Sequence, residues 1–77
     1  PSFPPRLKDY NDLLRRAESL QKAGDLHTAA KTLRKATRRV PEAPEAYHNL
    51  ADVLMRSGDP EASCHNFILA ESRRPRS

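Results

Sequence analysis

Tryptophan is absent from this 77-residue chain, aromatic residues make up 5% of it and hydrophobic residues 36%. So little bulk limits the chain to one small domain with a thin core, since a fold of this size withdraws only about 60% of its unfolded surface from water. A single cysteine, Cys64, excludes an internal disulfide framework and points to a reducing, intracellular setting, cytoplasmic in the simplest case. No apolar run approaches the roughly 20 residues that cross a bilayer, and no charged, apolar and small-residue leader opens the chain, so neither an anchor nor a signal peptide is expected. The first residue is Pro1 rather than Met, as in a processed chain or one cut from a longer protein. Glycine is almost missing too, and the two that occur, Gly24 and Gly58, stand 34 residues apart.

That interval organises what is present. Gly24-Asp25 recurs as Gly58-Asp59, Pro41 as Pro75, Ala17 as Ala51 and Ala36 as Ala70, each at an offset of 34 residues. A self-similarity of this length that keeps small residues, a glycine and a proline in phase marks a helix-turn-helix unit stacked on its own copy. The expected fold class is all-α, with two antiparallel helix-turn-helix repeats forming a segment of an α-solenoid.

Three prolines within Pro1–Pro5 read as an extended lead-in, so residues 1–6 are assigned outside the helices. A first helix over 7–23 follows, with Leu7, Tyr10, Leu13, Leu14, Ala17 and Leu20 on one apolar stripe. Gly24 closes it in the left-handed conformation, and Asp25 caps the next helix through its side chain. The second helix, 26–39, turns Leu26, Ala29, Ala30, Leu33, Ala36 and Val40 inward and stops before Pro41. A third, 45–57, begins behind Pro44 with Glu45 complementing the helix dipole, and buries Tyr47, Leu50, Ala51 and Leu54. Asp59-Pro60-Glu61 combines an N-cap, a proline at the first helical position and a first-turn acid, which starts a fourth helix running to 73. The domain reading is therefore a lead-in over 1–6, a first repeat over 7–43 and a second over 44–77 that ends in a basic tail of Arg73, Arg74 and Arg76.

The net charge of +4 is unevenly spread: residues 1–39 hold ten Lys/Arg against four Asp/Glu, and residues 40–77 hold four against six. A polarised distribution suits a module that docks one basic face on an acidic partner. Lys31, Arg34, Lys35, Arg38 and Arg39 recur every three or four residues and form a cationic ridge on the outer face of the second helix. Such a stripe ordinarily solvates a helix, and its functional reading is contact with an acidic segment, with nucleic acid or with an anionic membrane. No aromatic residue interleaves it, so nucleic acid would be held by backbone attraction with a strong salt dependence rather than by base stacking.

The soft ligands are His27, His48, Cys64 and His65, which form no cluster at zinc-like spacing, so no metal and no cofactor is expected. His48 lies one helical turn before Asp52, a spacing that can orient an imidazole, but such pairs are common on helix surfaces and no nucleophile accompanies this one. The chain is read as no enzyme. Cys64 is expected to fill space beside Phe67.

Leu13, Ala17, Leu20, Gly24, Ala29, Leu33, Ala36 and Pro41, and in the second copy Tyr47, Leu50, Ala51, Leu54, Gly58, Ser63, Phe67, Ala70 and Pro75, together resemble the tetratricopeptide repeat. Arg16 departs from the pattern where Leu is usual. The small positions have a physical reason of their own, since paired helices approach closely there while Leu33 or Phe67 fills the space between them. The resemblance implies a protein-binding scaffold that takes a peptide, a helix or a neighbouring subunit on the concave face made by the first helix of each repeat. Carried over by phase, that face holds Asn11, Leu14, Arg15, Glu18 and Lys22, then Glu45, His48, Asn49, Asp52 and Arg56. A carboxylate clamp of the kind one subfamily uses is not expected, because only Asn49 matches and Glu18 would repel the ligand.

Two repeats without a polar closing helix leave an open end. Leu50, Leu54, Phe67, Ile68 and Leu69 are expected to present apolar surface there, which invites self-association or a longer array. Two further functions stay open at this point: an electrostatic adaptor working through the ridge, and an accessory segment of a larger enzyme.

Overall fold

The computed structural model describes residues 4–75, which fold into four helices, α1 (Pro5–Lys22), α2 (Leu26–Arg39), α3 (Pro44–Arg56) and α4 (Pro60–Ser72). Pro1–Phe3 of the lead-in, and Arg76 of the basic tail, lie outside the described residues. Three of the helices open on proline. For α1 this corrects the lead-in: Pro5 is its first residue, because the N–H that proline lacks is one a first turn leaves unbonded anyway and its ring presets a helical φ. None of the described helices is long and apolar enough to cross a membrane.

Each repeat turns by the same device. Gly24 and Gly58 take φ of 82° and 90°, and the next N–H in each case reaches back across the turn, Asp25 to the Leu20 carbonyl and Asp59 to the Leu54 carbonyl, both at 2.9 Å. This closes one helix in a Schellman turn. The same aspartates open the following helix, with Asp25 Oδ1 accepting from Thr28 N–H and Asp59 Oδ1 from Ala62 N–H, each at 3.2 Å. One residue thus satisfies orphan backbone groups of two helices, which explains why the turn is so short.

The turn between repeats works differently. Ala43 precedes α3 with no capping side chain. Its place is taken by Tyr10 from α1, whose buried hydroxyl accepts the N–H of Ala46 at 3.1 Å. Burial raises the Tyr10 pKa, so the phenol stays protonated through the neutral range. Across the surface nearby, Arg6 meets Glu42 at 2.7 Å and holds its carboxyl below the ordinary glutamate range. That exposed pair contributes above the ordinary glutamate pKa and is lost as pH falls through the lowered one.

Successive helices pack in order, α1 on α2, α2 on α3 and α3 on α4. The core has two parts. Ala17, Ala29, Ala30, Leu33, Leu50, Val53 and Leu54 form one, and Tyr10, Ala36, Val40 and Ala46 the other. Between α3 and α4 the small position is Ser63, whose hydroxyl donates to the Ala51 carbonyl at 2.6 Å, so it combines a close approach with a satisfied polar group.

α3 is covered on two sides, by α2 and by α4, as α2 is by α1 and α3. It therefore buries Ala46 and Val53 in addition to the expected Tyr47, Leu50, Ala51 and Leu54. Of the residues expected to present apolar surface at the open end, Phe67 and Ile68 are exposed as expected, and three other expectations need correction. Leu50 and Leu54 are buried rather than exposed, because they point at α2. Phe67, expected to fill the space between paired helices, is 47% exposed, and Cys64 beside it is exposed rather than a filler; among the described residues nothing lies over α4 as α3 lies over α2.

Tyr10→Phe removes the hydroxyl that accepts the Ala46 N–H and is expected to cost about 1–2 kcal/mol in urea unfolding, with an unchanged m-value. Gly58→Ala meets no atom within 4 Å, so its expected loss of about 1–2 kcal/mol reports the left-handed backbone alone. Calorimetry giving either variant the parental Tm would show that these turns are not where the fold is held.

Candidate functional site

The repeat stacks α1 beside α3 and leaves a groove between them. Positions 11, 14, 15, 18 and 21 share one face of α1 because three- and four-residue steps return to the same side of a helix. Asn11, Leu14, Arg15, Glu18 and Gln21 face Glu45 and Asn49 of α3 across a hollow of about 460 Å³. Leu14 forms the apolar floor and also packs against both parts of the core. Asn11 and Asn49 contribute carboxamides, each able to donate and accept.

Charge in the groove leans acidic. Arg15 bonds Asp12, which Lys8 also contacts at 3.1 Å, so its charge is already met. Glu18 has Lys22 at 3.8 Å, with both exposed. Glu45 makes no ion pair among the described residues. At the far end Arg56 donates to Gln21 Oε1 at 3.4 Å, joining α3 to α1.

Of the ten residues placed on the concave face by phase, Asn11, Leu14, Arg15, Glu18, Glu45 and Asn49 converge on the groove. Lys22 and Arg56 stand at its end through their links to Glu18 and Gln21. His48 and Asp52 do not converge with the others. They line a second hollow of about 390 Å³ with Met55, Cys64 and Phe67, on the flank of α3 that borders α4. The two do not form an acid-oriented imidazole: the His48 ring lies 5.7 Å from that of Phe67, tilted by 41°. Gln21 was not among the predicted residues. Its signal was available, as it lies two helical turns beyond Leu14.

The ridge residues Lys31, Arg34, Lys35, Arg38 and Arg39 are all exposed. Arg39 differs from the rest in bonding Asp9 at 2.6 Å, so α1 neutralises one end. The expected basic tail is also reduced. Arg73 lies 4.5 Å above the Tyr47 ring and donates to the Pro41 carbonyl, while Arg74 pairs with Glu71. Two of the tail's arginines are thus engaged with the fold. No group of three His, Cys, Asp or Glu is placed to hold a metal ion among the described residues.

A family model described as tetratricopeptide repeat matches residues 14–63, from the middle of α1 to the first turn of α4. No curated protein and no solved structure matches the sequence. Repeats of this family generally serve protein–protein interaction and are typically scaffolds rather than catalysts. Four helices in two in-phase pairs, joined by the Gly-Asp turns and matched by that model over well more than half of their length, establish that the chain belongs to the tetratricopeptide-repeat family.

Proposed function

We propose that the module binds a protein partner by receiving a peptide segment or a helix in the α1/α3 groove, acting as a non-enzymatic scaffold. The observation that carries this reading is the convergence of three carboxamides, two carboxylates, one arginine and one leucine on a single open concavity. Carboxamides exchange hydrogen bonds with the free N–H and C=O groups of an extended segment, and Leu14 offers one apolar seat. With Arg15 held by Asp12 and Glu18 paired with Lys22, the free charge in the groove belongs to Glu45, which favours a segment carrying Lys or Arg. The same charge disfavours an acidic C-terminal segment.

A second reading is kept because Lys31, Arg34, Lys35 and Arg38 make no ion pair among the described residues. Four free cations on one helix would attract phosphate or an acidic segment by charge alone, in a salt-dependent manner.

Two multiple variants separate the readings. Glu18→Lys with Asn49→Lys reverses the groove, and Lys31→Glu, Arg34→Glu, Lys35→Glu and Arg38→Glu together reverse the ridge. Partners captured from cell extract are expected to be lost with the first variant and kept with the second, at unchanged helical circular dichroism. Loss with the second alone, accompanied by binding to RNA, duplex DNA or anionic vesicles that weakens steeply with salt, would assign the function to the ridge.

A further inference from the structure

The repeat compares two copies of one face under two conditions. Leu33 on α2 is 0% exposed, whereas Phe67, in phase with it on α4, is 47% exposed. Ala30 is buried and its counterpart Cys64 is exposed. On the first helices of the pairs, Gln21 is half-buried and its counterpart Met55 is 56% exposed. The covering body on α2 is known: it is α3, which lays Ala46, Leu50 and Val53 against that helix and buries all three. Among the described residues nothing does the same for α4.

A second copy stacked in register cannot fill the gap. The α1 residues in phase with Ala46, Leu50 and Val53 are Asp12, Arg16 and Ser19, and two of them would bring charge onto Phe67 and Cys64 at a desolvation cost. Charge indicates what can. Asp52 borders the hollow, Glu61 stands at the start of α4, and neither makes an ion pair among the described residues. The cations on the same side are engaged, Arg74 with Glu71, Arg73 with the Pro41 carbonyl and Arg56 with Gln21.

We infer that the exposed α3/α4 face is a second docking site, built for one amphipathic helix of a partner protein. Its apolar stripe repeats the small, large and β-branched order of Ala46, Leu50 and Val53, and its flank carries Lys or Arg for Asp52. The site is distinct from the α1/α3 groove and stands whether or not a segment binds there.

The probe is a synthetic peptide with the sequence of residues 44–57 carrying Glu45→Lys and Asn49→Lys. In the parent groove those two positions face Glu18, the residue in phase with Asp52, so on α4 they bring lysine to Asp52. Cys64, the single cysteine of the chain, supplies a local readout. Saturating peptide is expected to slow the reaction of Cys64 with a thiol reagent by about tenfold or more, and Phe67→Asp to weaken peptide binding by about tenfold or more in fluorescence anisotropy. Asp52→Asn is expected to flatten the salt dependence of that binding. Phe67 is half exposed, so its variant keeps the parental helical circular dichroism, which is measured alongside. Unprotected Cys64 at saturation overturns the inference. So does binding that survives Phe67→Asp but is lost with Asn49→Lys in the protein, which would put the peptide in the α1/α3 groove. A light-scattering mass of two chains that falls to one with Phe67→Asp, without peptide protection, assigns the face to a second copy instead.

Discussion

Everything in this molecule depends on how closely its helices can approach. Ala17 and Ala29 in the first pair, and Ala51 and Ser63 in the second, are all buried at the contacts between antiparallel helices. A larger side chain at any of them would separate a pair whose core has few large residues to spare, with Leu33 and Val53 as its largest fully buried side chains. In so small a core the dispersion gained by close packing stands in for bulk. Close approach also brings backbone groups near each other, and this is why Ser63 can hold the position of an alanine: its hydroxyl donates to the Ala51 carbonyl that the approach places beside it.

The same constraint produces the asymmetry from which the functional surfaces follow. Each helix packs on the next, so α2 and α3 are covered on two sides while α1 and α4 each have one open side. The two open sides differ in chemistry. Arg16 and Ser19 face water on α1 at the phases of the buried Leu50 and Val53, whereas α4 shows Cys64, Phe67 and Ile68. A solvated face costs nothing when it is left alone, and an apolar one is a standing attraction for a partner. The departure of Arg16 from the repeat pattern therefore has a structural sense, since no helix among the described residues packs there.

Between the repeats the fold relies on a contact that the periodicity does not announce. Tyr10 caps α3 across a separation of 36 residues, and Tyr47 donates to the Pro41 carbonyl, which also accepts from Arg73 beneath which the Tyr47 ring lies. Both tyrosines are counted as core by pattern, and both have a polar end that fastens the inter-repeat turn. This use of an amphipathic ring, apolar body inward and hydroxyl on backbone, compensates for a turn that lacks the Gly-Asp device.

The helices, their turns and their order were legible from the amino-acid chain because each is a local matter. Gly24 and Gly58 need a left-handed backbone, Asp25 and Asp59 cap within four residues of themselves, and apolar spacing marks each inner face. Most of the groove was legible too, since Asn11, Leu14, Arg15 and Glu18 follow from the phase of one helix. What periodicity could not supply is which neighbour a face meets. Val53 and Phe67 are both apolar; one is wholly buried and the other half exposed, and nothing local distinguishes them. His48, Asp52 and Asn49 lie within four residues of one another on α3, yet only Asn49 enters the α1/α3 groove. The amino-acid order alone determined the unit, its turns and its inward stripe, since these arise from hydrogen bonds and contacts a few residues apart. Tertiary structure alone decided which copies of that stripe are covered, because burial is set by the helix that lies opposite and the described residues place one over α2 and none over α4.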